Sequence, residues 1–274
     1  MIRGMREEYV LGHRAEELAR LDGQAKMLEP ATRLALHLAG IGPGMRVVDL
    51  GTGTGEVALL VAEAVGPDGS VLAVDRAADG LAYAATKFAD HGVTNIELVE
   101  ADVASYVPGE PVDAVLGRLV LSYLPDPVAT VRRLLRATRP GGVYLALEYD
   151  TDAVRSAPPT PTITQGAGLV SAAFAAAGTP QTIGPRLGVI LEAAGARDVQ
   201  VLGLQRYAGP HDPDAPRMLA AVVQSLAPAI EKYGIADVAS LELETYADRL
   251  AAEMKEADAV AVLPTLVAAW GHSG

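Results

Sequence analysis

The sequence contains no cysteine. That absence removes disulfides, thiolate metal ligands, iron–sulfur clusters and cysteine nucleophiles together. Phe and Trp are scarce, two and one beside nine Tyr, so a binding cage built from many rings is not expected. The five histidines, His13, His37, His91, His211 and His272, are dispersed, and none falls in a cluster at metal-ligand spacing. We therefore expect no metal centre. No run of about 18 apolar residues occurs, which argues against a membrane-spanning helix. The opening "MIRGMREEYV" lacks the apolar stretch of a secretory leader, so a cytoplasmic protein is expected. Positive charge is also short: 22 basic residues face 34 acidic ones, for a net charge of −12. The one basic run, Arg132, Arg133, Arg136 and Arg139 in "PVATVRRLLRATRP", reads as a solvated helix face, and a nucleic-acid partner is disfavoured.

What the chain does contain is an alternation of short Val- and Leu-rich runs with helical stretches. Strands are predicted at 46–50, 70–75, 95–102, 112–120 and 142–149, and helices at 56–65, 77–90 and 127–138. The early strands are almost continuously apolar, as in a sheet covered on both faces. Alternation of this kind predicts right-handed strand–helix–strand units and an α/β, doubly wound, mostly parallel sheet. Two helices are expected between Glu7 and Gly40. "RSAPPTPT" (155–162) reads as a connector, followed by helices in "ITQGAGLVSAAFAAAG" and "GPRLGVILEAAGA". A sixth strand in "DVQVLGLQRY", helices at 214–233 and 239–257, and a last strand at 259–270 complete the seven-stranded sheet. Pro264 suits an edge or a bulge in that last strand.

The most informative stretch is "VVDLGTGTGE" (47–56): a buried strand, three alternating glycines, then a helix. Glycine permits positive φ and close backbone approach, and the following helix N-terminus offers unpaired N–H groups. Glu56 occupies the third-glycine position of the dinucleotide fingerprint and would sit badly against a pyrophosphate; no Gly-Lys-Ser/Thr follows either. The loop favours a ligand without phosphates. "SVLAVDRA" ends a strand at Asp75, where an acid can accept hydrogen bonds from both ribose hydroxyls. "IELVEADV" ends another near Asp102, at a position suited to an exocyclic adenine amine. "VDAVLGRLVLSYLPDP" and "RPGG…VYLALEYD" follow in order.

Over about residues 44–150 these motifs, in this order and spacing, resemble the class I S-adenosylmethionine-dependent methyltransferases. "YVLGHRAEELARLDGQ" and "GRLVLSYLPDP" further resemble the bacterial small-molecule branch, of natural-product or quinone type. The resemblance implies a Rossmann-like fold and S-adenosylmethionine as cofactor. It assigns Gly51, Thr52 and Gly53 to backbone packing against the methionine end, and Asp49 to the loop or the amino group. Asp75 would bind the ribose with Arg76 beside the adenine, Asp102 and Val103 would meet the adenine edge, and Arg118 and Leu119 would lie near the sulfonium. It also implies an organisation of helical cover (1–43), cofactor-binding core (44–150), substrate cap (151–184), and completion of the sheet (185–274) with an inserted cap at about 209–257. The cover could equally form a homodimer interface.

Without cysteine, radical chemistry with this cofactor is excluded, and arsenite methylation and pyrimidine 5-methylation are disfavoured. The Asp/Asn-Pro-Pro-Tyr signature of adenine amino-methylation is absent, since "AVLG" follows Asp113. The expected partner is a small apolar or aromatic metabolite, methylated on O, N or an activated C. Of Glu148 and Tyr149 at the end of the fifth strand, alternation lets one face the pocket, and Glu148 is the expected base. Tyr9 and His13 share a helix face at i, i+4, where the ring could close over the sulfonium and the imidazole could serve as a base. Tyr123 and Tyr149 could line the acceptor site. Two other readings stand beside this one: a cofactor-binding protein without methyl transfer (pericyclase-like or a noncatalytic partner), and a nicotinamide-dependent oxidoreductase, which Glu56 disfavours.

Overall fold

The computed structural model describes residues 15–178 and 183–274, with side chains described from residue 27 onward. The chain begins with α1 (Ala15–Leu38), β1 (Arg46–Leu50), α2 (Glu56–Val65), β2 (Ser70–Asp75), α3 (Ala78–Asp90) and β3 (Ile96–Glu100). Next come β4 (Val112–Arg118), α4 (Pro127–Leu135), β5 (Thr138–Asp150), β6 (Arg155–Ala157), α5 (Pro161–Ala176) and α6 (Ile183–Ala194). The chain closes with β7 (Arg197–Leu204), β8 (Tyr207–Ala208), α7 (Ala215–Lys232), α8 (Tyr246–Glu256), β9 (Val260–Val262) and β10 (Thr265–His272).

Two compact units result. One comprises Ala25–Asp150, Thr182–Leu204 and Leu266–Gly274; the other comprises Met1–Gln24, Thr151–Gln181 and Gln205–Thr265. The first holds a seven-stranded sheet in the order β3-β2-β1-β4-β5-β10-β7. The pairings β1–β2, β1–β4, β2–β3 and β4–β5 are parallel, and β10 runs antiparallel to β7. This is the mostly parallel, doubly wound sheet that the strand–helix alternation predicted.

Both faces are covered, which explains the unbroken apolar runs. On one face, Val47, Val71, Ala73, Ala114, Leu116, Leu145 and Leu147 pack with residues of α1, α2 and α3. On the other, Val48, Leu50, Val74, Val115, Tyr144 and Ala146 pack with α4 and α6. Each fully buried Val or Leu contributes about 1.5–3 kcal/mol. α2 starts at a left-handed Gly55 (φ 82°) and ends at Gly66 (φ 68°), with the acidic Glu56 in its positive first turn. Asp126 caps α4 by accepting the Ala129 N–H at 2.9 Å, with Pro127 at the first helical position.

In the second unit β6, β9 and β8 form a small antiparallel sheet. The start of α5 is held by Glu253 of α8, which accepts the Thr162 N–H at 2.8 Å and its hydroxyl at 2.5 Å. The buried Tyr246 hydroxyl donates to the Thr162 carbonyl.

Four sequence expectations are corrected. Between Ala15 and Leu38 there is one helix, not two: it runs through Pro30, with the Thr32 hydroxyl bonded back to the Leu28 carbonyl and Leu28, Ala35 and Leu36 buried in the core. That packing offsets the donor the proline removes. The connector at 155–162 contains the strand β6. The single last strand is two, β9 and β10, interrupted at Leu263 and Pro264, and they belong to different sheets. Residues 238–245 form two short 3-10 turns before α8 begins at Tyr246.

Candidate cofactor site

The glycine loop closes the turn from β1 to α2. Gly51 (φ 65°), Gly53 (φ 53°) and Gly55 (φ 82°) all adopt left-handed backbone. At Gly51 a Cβ would stand 2.8 Å from Val120 Cγ2, and at Gly55 2.6 Å from the Phe88 ring, so both positions also need the space. The Gly51 and Thr52 N–H groups donate to the Val74 carbonyl at 2.8 and 3.0 Å. Gly53 N–H donates to Asp75 Oδ2 at 2.8 Å, and Ala77 N–H to its Oδ1 at 2.9 Å.

Strand alternation and register bring four polar side chains into one row. Asp49 shares the parity of Val47, Asp75 that of Ala73, Arg118 that of Leu116, and Tyr149 that of Leu147, all on the α1–α2–α3 face. The four strands are adjacent in the sheet, so Asp75, Asp49, Arg118 and Tyr149 line its carboxyl edge in that order. This is where open α/β sheets bind ligands.

Asp49 is the unusual member. It is 1 % exposed, and neither carboxylate oxygen is hydrogen-bonded; the buried Thr52 hydroxyl beside it is equally unpaired. Burial pushes the Asp49 carboxyl up to about 7, against the Thr52 hydroxyl and the Arg118 charge, which favour the carboxylate without a formed hydrogen bond. Arg118 is itself buried enough to be held below the usual guanidinium range, and the charge of Asp49 opposes that shift. Its Nη1 donates to Thr32 Oγ1 on α1 at 3.0 Å.

Glu148 departs from the expected role. It shares the parity of Tyr144 and Ala146, so it turns to the face opposite that row. It is 2 % exposed, and its Oε1 accepts the N–H groups of Val120 (2.8 Å) and Leu121 (2.6 Å). Burial raises its carboxyl to about 7, opposed by the N–H groups of Leu121, Val120 and Ser122. A carboxylate committed to backbone donors is a poor free base. Tyr149, not Glu148, stands on the Arg118 face.

The remaining expected residues are spread along the same edge. Asp102 is exposed and caps its own turn through the Ala104 N–H at 2.8 Å. The Val103 side chain is buried in the α4–α6 core, so it is not offered to a ligand. Arg76 is exposed next to Asp75. Leu119 is left-handed (φ 56°), and its N–H donates to the Leu147 carbonyl at 2.8 Å. Tyr123 is 37 % exposed after the 3-10 turn Leu121–Tyr123. Tyr9 and His13 lie outside the described residues. Thr32 and Val120 were missed: a hydroxyl bonding to a distant guanidinium and an apolar wedge leave no sequence signature.

The basic run is scaffold. Arg132 donates to the Ala193 carbonyl, and Arg133 to the carbonyls of Val103 and Tyr106. With Arg136 they line a cavity of about 410 Å³ beside Val107–Pro111, at the amino ends of β4 and β5 and away from the row. Among the described residues no group of three or more His, Asp or Glu could hold a metal ion, and no helix is long and apolar enough to cross a membrane.

The family model described as "Methyltransferase domain" matches residues 41–178, half of the chain. The chain belongs to the methyltransferase-domain family. Within it the motifs are those of the class I, S-adenosylmethionine-dependent enzymes. This methyltransferase-domain protein is 34 % identical over 119 residues to the ubiquinone/menaquinone biosynthesis C-methyltransferase UbiE of Pseudomonas putida, a match covering 43 % of this chain and 46 % of that one. The chain thus spans about half the length of the curated relatives it matches. Among solved structures, the [4+2]-cyclase SpnF aligns over 90 % of this chain and 81 % of its own, with TM-score 0.53 and 20 % identity. A phosphoethanolamine N-methyltransferase 2 of Haemonchus contortus aligns over 85 % and 50 %, with TM-score 0.52 and 16 % identity. At such identities the likeness is one of fold.

The residues of the methyltransferase-domain protein fit its family's cofactor, S-adenosylmethionine. The orphaned Asp49 carboxylate and the buried Arg118 guanidinium set one negative and one positive group side by side at the glycine loop, charges of the kind a zwitterionic ligand end can meet. The glycine loop lets backbone approach closely, and Asp75 keeps lone pairs beyond the two it uses.

Proposed function

We propose that the chain transfers the methyl group of S-adenosylmethionine to an O, N or activated C atom of a small, largely apolar or aromatic metabolite, of quinone or natural-product kind. Asp49 carries this reading. A carboxylate that is 1 % exposed and unpaired is unfavourable by itself, and a cationic ligand group turns it into half of an ion pair.

When bound, the cofactor supplies a methyl group on a positively charged sulfur. The chain's part is alignment: Asp49 and Arg118 take the two charges of the methionine end, the glycine loop packs beneath it, and Asp75 accepts from the ribose hydroxyls. Holding donor and acceptor in line removes most of the entropic barrier to displacement. Arg76, Asp102 and Val103 are proposed at the adenine through position and backbone, and Leu119 near the sulfur. Tyr149 and Tyr123 are proposed to face the acceptor. Tyr9 and His13 keep their proposed parts as a ring over the sulfonium and a base. Residues 1–43, 151–184 and 209–257 are proposed to select the acceptor. The curated UbiE relatives, named for C-methylation in ubiquinone/menaquinone biosynthesis, support a quinone-type ring.

Fold alone does not separate this from cofactor binding without methyl transfer, since a [4+2]-cyclase shares it. Calorimetry with S-adenosylmethionine followed by mass spectrometry on a panel of hydroquinones, phenols and amines does. Demethylated cofactor with a methylated acceptor is the expected result. Binding without turnover on any acceptor favours the second reading, and no binding sinks both.

A further inference from the structure

The turn after β4 is held from below and wedged from above. Glu148 Oε1 accepts the N–H groups of Val120 and Leu121, and the Ser122 N–H and hydroxyl also favour its carboxylate. The preceding Leu119 is left-handed, which turns the chain sharply at the end of the strand, and its N–H is fixed to the Leu147 carbonyl next to Glu148. The Val120 side chain then projects into a notch made by two glycines. A Cβ on Gly51 would lie 2.8 Å from its Cγ2, and a Cβ on Gly117 would lie 2.8 Å from its Cγ1. Gly117 is the penultimate residue of β4 and Gly51 begins the cofactor loop, so one side chain packs against both.

We propose that Glu148 is a positioning residue: its carboxylate clamps the 120–122 turn so that Val120 supports Gly51 and sets the height of the cofactor loop. The assignment rests on the cofactor reading above for its consequence, but the clamp itself is a matter of packing. The buried Leu121 N–H and the partly buried Val120 N–H would lose their acceptor if Glu148 were removed, and a buried donor left unpaired forces the backbone to move. Movement at Val120 transmits directly to Gly51, because the contact is side chain against backbone with no flexible group between. The same geometry explains why a carboxylate, with several acceptor sites on two oxygens, serves one turn.

Glutamine keeps an acceptor oxygen at the same reach and alanine keeps none, so the two substitutions separate a clamp from a base. Glu148→Gln should leave the dissociation constant for S-adenosylmethionine within about threefold and retain turnover. Glu148→Ala should raise it tenfold or more, with kcat at saturating cofactor affected far less than KM. Val120→Ala, a mild change expected to fold, should raise it about fivefold, and adding it to Glu148→Ala should change little more. Collapse of kcat in Glu148→Gln at unchanged affinity would overturn the clamp in favour of a base. Unchanged affinity in both alanine variants would overturn it outright, and if Glu148→Ala does not fold, Val120→Ala decides alone. Hydrogen exchange across residues 50–56 in ligand-free protein keeps the inference separate from the cofactor reading. Faster exchange in the variants supports the clamp even if the wild type retains no cofactor, and unchanged exchange refutes it even if the cofactor binds.

Discussion

Asp75 Oδ2 accepts the backbone N–H of Gly53 at 2.8 Å, so the acid ending β2 holds the middle of the loop that follows β1. Its other oxygen takes the Ala77 N–H. The side chain expected to grip the ribose therefore also shapes the loop that receives the methionine end. Asp75→Ala should weaken S-adenosylmethionine binding by about 1–3 kcal/mol, the cost of unpaired polar partners. Asp75→Asn, which keeps one acceptor oxygen, should lose less. Calorimetry checks both, and an unaltered affinity in the alanine variant would place the sugar elsewhere.

Asp49 makes stability and binding respond to pH in opposite directions. Its carboxyl is raised to about 7 by burial, whereas in the unfolded chain it ionises near pH 4. Between those values the native state binds the extra proton, so stability falls as pH rises from about 4 to about 7 and the full penalty applies above that. Asp49→Asn removes the penalty. The variant should melt about 3–6 °C above wild type at pH 8, and the gap should narrow at pH 4.5. Its cofactor affinity should drop tenfold or more at pH 8. Calorimetric melts at the two pH values and a titration at pH 8 test this, and a gap that does not change with pH would show that Asp49 is not the titrating group.

The parts of this architecture set by local chemistry were readable from the sequence. β1, α2 and β2 begin and end where the apolar runs meet glycine and acid, because a backbone turning left-handed at Gly51, Gly53 and Gly55 needs residues without a Cβ. What depends on register and burial was not readable. Alternation correctly split Glu148 from Tyr149, but which of them shares a face with Asp49 depends on how β5 aligns with β4 and β1, and no residue type records that. The acceptor role of Glu148 toward Val120 and Leu121 was hidden for a similar reason: its partners are backbone N–H groups, which every non-proline residue carries. Pro30 shows the converse: a residue that locally disfavours a helix interior is accommodated by the tertiary packing of Leu28, Ala35 and Leu36, so one helix runs through it.

Two glycines with similar φ separate strain from space. A Cβ added at Gly44 (φ 79°) would meet nothing within 4 Å, whereas one added at Gly51 (φ 65°) would meet Val120 at 2.8 Å. Gly44→Ala should cost only left-handed strain, about 1–2 kcal/mol, with cofactor affinity unchanged. Gly51→Ala should carry the same strain and also displace Val120, lowering cofactor affinity tenfold or more. Paired melts and titrations check this. Equal affinities in the two variants would mean that the Gly51–Val120 contact does not shape the loop.

Arg118 and Thr32 allow the charge on the row to be separated from the hydrogen bond to α1. The Arg118 guanidinium donates to Thr32 Oγ1 at 3.0 Å, and the Thr32 hydroxyl donates onward to the Leu28 carbonyl at 2.8 Å. Arg118→Met keeps much of the side-chain volume but removes the positive charge that favours the Asp49 carboxylate. The Asp49 carboxyl should then rise further, and affinity for S-adenosylmethionine should fall at least tenfold at pH 7. Thr32→Val removes the hydroxyl and keeps the charge. It should lower stability by about 1–2 kcal/mol, as expected for a lost buried hydrogen bond, with affinity held within about threefold. If Thr32→Val weakens binding as much as Arg118→Met, the placement of α1 rather than the guanidinium charge governs the site.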